Sequence, residues 1–272
     1  MIASGNPAIV TCPIIGGFAS NNPNHPRTLA DIVRHGIQAA HAGAAALHIH
    51  ARTEDGEVTQ DKEAYEAIAA GIRAEAPDVL MNFTTGGSLG MSEDERLGSV
   101  AARPDLGSLD CGTMNFGDAV FVNTPAFIER TAREMLDAGV KPEIECFDAG
   151  MVVAGARLVE QGLVKDPPLF QLVLGVRGGA PARVDTLVHL VELLPPGAVW
   201  AAAAIGVPHF PTMAAALGMG GHIRSGMEDV AYTARGEFAT SNAQLVERAV
   251  ALCEAVGRPV ATPAQAREIL AL

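Results

Sequence analysis

Two histidines one residue apart, His48 and His50, stand in the stretch Ala46-Leu-His-Ile-His-Ala-Arg52. The flanking residues predict a short apolar strand, and side chains two apart on a strand point to the same face. The two imidazoles therefore lie side by side, as a divalent metal needs from adjacent ligands. A histidine pair packed in a core, or exposed on a strand, fits the same spacing. The rest of the chain has to decide between these readings.

Apolar strand-like runs alternate with helix-patterned segments from end to end. The strands fall at Ala8–Ile14, Ala46–Arg52, Val79–Thr85, Leu106–Thr113, Glu143–Asp148, Phe170–Val176, Ala198–Ile205 and Gly221–Arg224. They read as continuous apolar runs, as parallel strands covered on both faces should. Thr28 caps a helix running to about Ala42, with Asp31 completing an approximate capping box. Asp61 starts another that ends near Ala76, before Pro77. Thr124–Ala138 is closed by Gly139, the expected left-handed stop, and a terminal helix runs from Ser241 to about Val256. Eight strands with intervening helices, at about 30 residues per unit, predict a single-domain (β/α)8 TIM barrel. A doubly wound open sheet is the alternative, and eight regular units favour closure.

Polar residues gather at the C-terminal ends of these strands, the face on which barrel active sites lie. There stand His48, His50 and Arg52; Asn82, Thr84 and Thr85; Asp110 and Thr113; Glu143, Glu145 and Asp148; and His222 and Arg224, followed by Glu228 and Asp229. Polar groups pointing into a barrel cost free energy unless they are paired or bind metal. The last strand closes next to the first, which neighbours the second, so Glu228 can reach the histidine pair. Two histidines and one carboxylate with an open position form a catalytic zinc set. A solvated acidic loop is the other reading of Glu228 and Asp229, but Arg224 four residues earlier needs an anion. His222 fits a satisfied core histidine. Glu143 and Glu145 share a face and would repel unless one meets a cation or stays protonated.

The chain is 272 residues long, 49% hydrophobic, with a formal net charge of -12. That size supports a large core. The acidic balance argues against nucleic acid, because nothing would neutralise phosphates. The longest apolar run, around Ala198 to Val207, is too short to span a bilayer. The opening residues lack a signal peptide's basic start and long apolar run. Cys12, Cys111, Cys146 and Cys253 lie far apart with no CxxC and read as buried thiols of a cytoplasmic protein.

The stretches AGAAALHIHART, MNFTTGG, LDCGTMNFGD, KPEIECFDAGM, LGVRGGAP, GGHIRSGMEDV and GRPVATPAQAREIL resemble the β-keto acid cleavage enzyme family over nearly the whole chain. The pairing of HxHxR with GGHxRxGxED makes the resemblance specific. It implies a zinc-dependent barrel that converts a β-keto acid and acetyl-CoA into acetoacetate and an acyl-CoA by Claisen and retro-Claisen steps. It implies that His48, His50 and Glu228 hold Zn2+, that Asp229 is the base, and that Arg224 orients it. Thr84 or Thr85, Thr113, and Glu145 or Glu143 would line the pocket. It also implies a homotetramer. Family members acting on an aminated keto acid bind its ammonium with a glutamate after the first strand. Here that segment, Cys12-Pro-Ile-Ile-Gly-Gly-Phe18, has no acid, so a neutral or anionic substrate is expected.

Three expectations complete the reading. The loop Arg177-Gly-Gly-Ala-Pro-Ala-Arg183 combines arginines with glycines that let backbone N–H groups approach an anion, so Arg177, Gly178 and Gly179 are candidates for CoA binding; an ordinary barrel turn is the alternative. The amphipathic C-terminal segment Thr262–Leu272 is expected to cover a neighbouring subunit. The competing functions are a zinc-dependent aldolase or metal-assisted hydrolase needing no CoA, and a metal-containing scaffold; converging acid, arginine and threonines disfavour the scaffold.

Overall fold

The computed structural model describes residues 6–17 and 20–272. Eight parallel strands close into a barrel: β1 (Val10–Pro13), β2 (Ala46–Ile49), β3 (Leu80–Phe83), β4 (Leu106–Asp110), β7 (Lys141–Cys146), β8 (Leu169–Leu174), β9 (Val199–Ala204) and β10 (His222–Arg224). Two hairpins, β5 (Met114–Phe116) with β6 (Ala119–Phe121) and β11 (Tyr232–Ala234) with β12 (Glu237–Phe238), sit outside the ring. β10 pairs with β1 and β1 with β2, which brings the last polar strand beside the histidines.

The strand positions alternate more sharply than continuous apolar runs would. Leu47, Ile49, Met81, Phe83, Ile144, Phe170, Leu172 and Ile223 belong to the large core between sheet and helices. Their neighbours at the start of each strand, Ala46, Leu80, Leu106 and Leu169, fill the barrel's lower end. Two residues further along, the same inward positions turn polar: His48, Asn82, Ser108 and Gln171, all buried. A one-residue slip in register would exchange core for site on every strand.

The helices follow local rules. Thr28 and Asp31 form the anticipated capping box at the start of α1 (Leu29–His41). Gly139 takes a left-handed φ of 74° and closes α5 (Pro125–Ala138). Asp148 lies off the strand face: its carboxylate accepts the Met151 N–H at 3.0 Å and caps α6 (Ala149–Glu160). All four cysteines are free and buried, and no helix among the described residues is long and apolar enough to cross a membrane.

The C-terminal segment turns one face to its own barrel. α10 (Pro263–Leu270) turns Ala266 and Leu270 into the lower barrel core, against Ile9, Ala46, Leu80, Leu106 and Leu169. Arg267 ties the helix to Asp105 at 2.8 Å, and Ala261 donates to the Ala8 carbonyl at 2.9 Å. A barrel needs a plug because its lower layer would otherwise open to water. Leu270→Ala is expected to destabilise the fold by about 2–5 kcal/mol, lowering Tm by about 5–15 °C. An unchanged Tm in differential scanning calorimetry would refute the plug.

Candidate active site

The upper end of the barrel holds a cavity of about 1010 Å³. His50, just past the end of β2, lines it, and His48 on β2 lies deeper; they are 9% and 1% exposed. Glu228, on the loop after β10, faces both: its Oε2 lies 3.8 Å from His48 Nε2 and its Oε1 3.7 Å from His50 Nε2. One ligand atom from each of the three falls within 4.8 Å of the others. His48 with Glu143 and Glu145 also satisfies that distance, but those carboxylates already bond Asn82 and Arg224, at 2.7 Å each.

The triple fits a cation. Glu228 Oε2 and the Nδ1 atoms of His48 and His50 are buried without a hydrogen-bond partner. Unmet buried polar atoms are expensive, so something else must satisfy the cluster. Burial keeps the His48 imidazole neutral, well below its usual range, as a ligand requires. Burial would raise the Glu228 carboxyl, but the Arg224 guanidinium beside it is the largest opposing influence, and the carboxyl is held below its usual range. Two imidazoles and a carboxylate suit zinc among the common divalent ions.

Arg224 organises the acids. Its Nε and Nη2 reach the two oxygens of Asp229 at 3.0 and 3.1 Å, Nη1 reaches Glu145 at 2.7 Å, and Nη2 reaches Glu228 at 2.5 Å. Asp229 is 3% exposed. Burial lifts its carboxyl to about 6 against the pull of Arg224, so it is charged at neutral pH and still able to take a proton. Burial also pushes Glu145 well above the usual carboxylate range, despite Arg224, and Asp110 adds to the rise. Arg52 points elsewhere, into the Ala51 and Gly16 carbonyls.

Several expected contacts fall away from this cavity. Thr84 lines it, whereas the Thr85 hydroxyl donates to the Ser108 carbonyl at 2.7 Å in the neighbouring strand. Thr113 is exposed; its hydroxyl donates to the Asn123 carbonyl at 3.0 Å and steadies the β5–β6 hairpin. Glu143 lies one layer below, accepting from Asn82 at 2.7 Å, with His48 Nδ1 3.9 Å away, beyond hydrogen-bond reach. Gly178 and Gly179 form no open nest. A Cβ on Gly179 would lie 2.9 Å from the Phe147 carbonyl, and one on Gly178 would overlap Asn115. They are glycines because the loop packs against the hairpin. Arg177 does line the cavity's rim, paired with Asp118.

The hairpin itself escaped the sequence reading, although Gly117-Asp118 between Met114-Asn-Phe116 and Ala119-Val-Phe121 is a two-residue turn signal. It brings Phe116, Asp118 and Phe121 to the cavity. Asp110, at the β4 end, is a further lining residue that had no assigned role.

The molecule is thus a closed parallel barrel with a candidate metal site, a histidine–carboxylate triple, beside an arginine-held acid. The family model for beta-keto acid cleavage enzyme matches residues 7–272. The chain belongs to that family and is an acyltransferase-type enzyme. It is 43% identical over 267 residues to a 3-keto-5-aminohexanoate cleavage enzyme of Fusobacterium nucleatum, covering 97% of both chains. It is 35% identical to a 3-oxoadipate:acetyl-CoA acetyltransferase of Cupriavidus necator, covering 98% of this chain and 95% of that one. Among solved structures, ObcA with oxaloacetate shares the fold at a TM-score of 0.77 and 21% identity, over 92% of this chain and 68% of that one.

Proposed function

We propose that this enzyme transfers an acyl group between a β-keto acid and acetyl-CoA, giving acetoacetate and a new acyl-CoA, with zinc held by His48, His50 and Glu228. The observation that carries this reading is the His48–His50–Glu228 cluster beside Asp229 and Arg224, with all but the deeper His48 lining one cavity. The names of the relatives, a keto acid cleavage enzyme and an acetyl-CoA transferase, support it.

Zinc, when bound, polarises the ketone and steadies the negative charge developing on it. Asp229 takes the proton from the carbon between ketone and carboxylate, and the bidentate grip of Arg224 fixes its direction. Being adjacent, Glu228 and Asp229 divide the roles of ligand and base. The resulting carbon nucleophile attacks the acetyl thioester; CoA then passes to the other carbonyl, and bond cleavage releases acetoacetate. Glu145, whose carboxyl burial pushes well above the usual range against the pull of Arg224, stands on the far side of Arg224 as the second candidate for proton exchange. Thr84 contributes a hydroxyl to substrate binding. The cavity is larger than a small keto acid needs, which leaves room for the acetyl end of CoA.

The deciding assay supplies a panel of β-keto acids with and without acetyl-CoA and follows acetoacetate and acyl-CoA. Cleavage that ignores acetyl-CoA would establish the aldolase or hydrolase instead. Arg177 on the rim is the proposed contact for CoA phosphates. Arg177→Glu is expected to raise the apparent acetyl-CoA constant more than the β-keto acid constant; equal effects would remove Arg177 from the CoA path. A homotetramer rests on family resemblance, since the buried face of α10, Ala266 and Leu270, packs into its own barrel. Sedimentation as a stable monomer at micromolar concentration would exclude it. Four free buried thiols agree with a cytoplasmic setting.

A further inference from the structure

Most acids of the cavity have a cation within hydrogen-bond reach. Glu145, Glu228 and Asp229 are bonded to Arg224, and Asp118 pairs with Arg177. Asp110 is different. It is 5% exposed and lines the cavity; its carboxyl group meets Glu145, opposite it on β7, but its Oδ2 has no hydrogen-bond partner among the described residues. The nearest cation, Arg96 Nη2, stands 3.9 Å away, too far for a hydrogen bond. Arg96 directs its N–H groups to the Thr85 and Val122 carbonyls and to Asn123 Oδ1, at 2.7, 3.0 and 2.6 Å.

The space in front of Asp110 is kept open by Gly86. A Cβ on Gly86 would lie 3.1 Å from Thr84 Oγ1 and 3.8 Å from both Asp110 Oδ2 and Phe121 Cζ. Gly86 is not among the glycines with positive φ, so the backbone does not demand a glycine there. The missing side chain leaves a niche with a carboxylate oxygen, a hydroxyl and an aromatic edge as its walls. A carboxylate oxygen buried without a donor costs about 1–3 kcal/mol or more, so the niche is built for a group that donates.

Its position relative to the reacting atoms sets which group. The histidines are on β2 and Asp110 on β4, with β3 between them. Two strand spacings come to about 10 Å. A keto acid whose reacting end lies at His50 and Asp229 therefore brings the second or third carbon beyond its ketone to the niche. We propose that Asp110 is a specificity-determining residue, accepting a hydrogen bond from an N–H or O–H borne by the substrate's tail. Arg96 already offsets the charge of Asp110, so the donor can be an uncharged hydroxyl as well as an ammonium. The absence of an acid in the loop after β1 thus does not leave the tail without a partner, because β4 supplies one. Phe18 of that loop lies outside the described residues.

The inference rests on the β-keto acid reading of the cavity, and its test separates the two. Freshly prepared 3-oxohexanoate, 5-hydroxy-3-oxohexanoate and 5-amino-3-oxohexanoate differ only in the tail. Titration calorimetry of each against the metal-loaded protein, Asp110→Ala and Gly86→Ala gives ratios of Kd, in which losses common to all three acids cancel. The unaltered protein is expected to bind at least one donor-bearing acid about tenfold or more tighter than 3-oxohexanoate. Both variants are expected to bring that ratio below about threefold. A ratio near one in the unaltered protein, or a preference that survives in either correctly folded variant, overturns the assignment; circular dichroism identifies a variant that misfolds, and the other then decides. A Kd preference without acetyl-CoA-dependent turnover leaves Asp110 assigned and sinks the proposed reaction. Turnover without preference does the reverse, and failure of all three acids to bind overturns both.

Discussion

Asp229→Asn is expected to lower turnover by at least about a hundredfold while leaving metal and keto acid binding intact. The amide is nearly isosteric and keeps a hydrogen-bonding oxygen for Arg224, but it cannot accept the proton from carbon. Burial and Arg224 act in opposite directions on Asp229 and leave it near 6, charged but basic, the condition a general base needs at neutral pH. Because the charged form is the active one, kcat/KM should fall as pH drops through that value. A divalent cation held at the neighbouring Glu228 would favour the charged form further, so the acid limb is expected at or below about pH 6 in the metal-loaded enzyme. Single-turnover kinetics of Asp229→Asn gives the direct check. Near-normal turnover would move the base elsewhere, with Glu145 next in line.

His48→Ala is expected to remove most of the bound metal. Two ligands would then remain, His50 and Glu228, and two do not hold zinc against the water and buffer that compete for it. The fold should survive, because the main core lies between the sheet and the helices and the lower barrel is sealed by α10. The lost imidazole is buried, but its Nδ1 has no partner, so its removal orphans no hydrogen bond there. Elemental analysis after dialysis, with far-UV circular dichroism on the same sample, measures both halves. Full occupancy in the folded variant would refute the ligand assignment, and loss of the barrel would show that the metal is structural.

The sequence determined the barrel because its evidence is local. Apolar runs at regular spacing, a Thr28–Asp31 cap and a Gly139 stop each follow from a few neighbouring residues, and eight such units close in only a few ways. The histidine pair was legible for the same reason, since His48 and His50 share a face through the strand period alone. Glu228, Asp229 and Arg224 were legible as a short block whose closeness to β2 follows from barrel closure. What only the tertiary structure decided is which of two neighbouring polar residues faces the cavity and how deep it lies. Thr84 points inward and Thr85 does not; Glu145 reaches Arg224 while Glu143 sits one layer below with Asn82. Those choices depend on strand stagger, which no single strand carries in its own residues. The last helix shows the same limit: its amphipathic pattern declares that one face is buried, but not against what, and the open lower end of its own barrel took it.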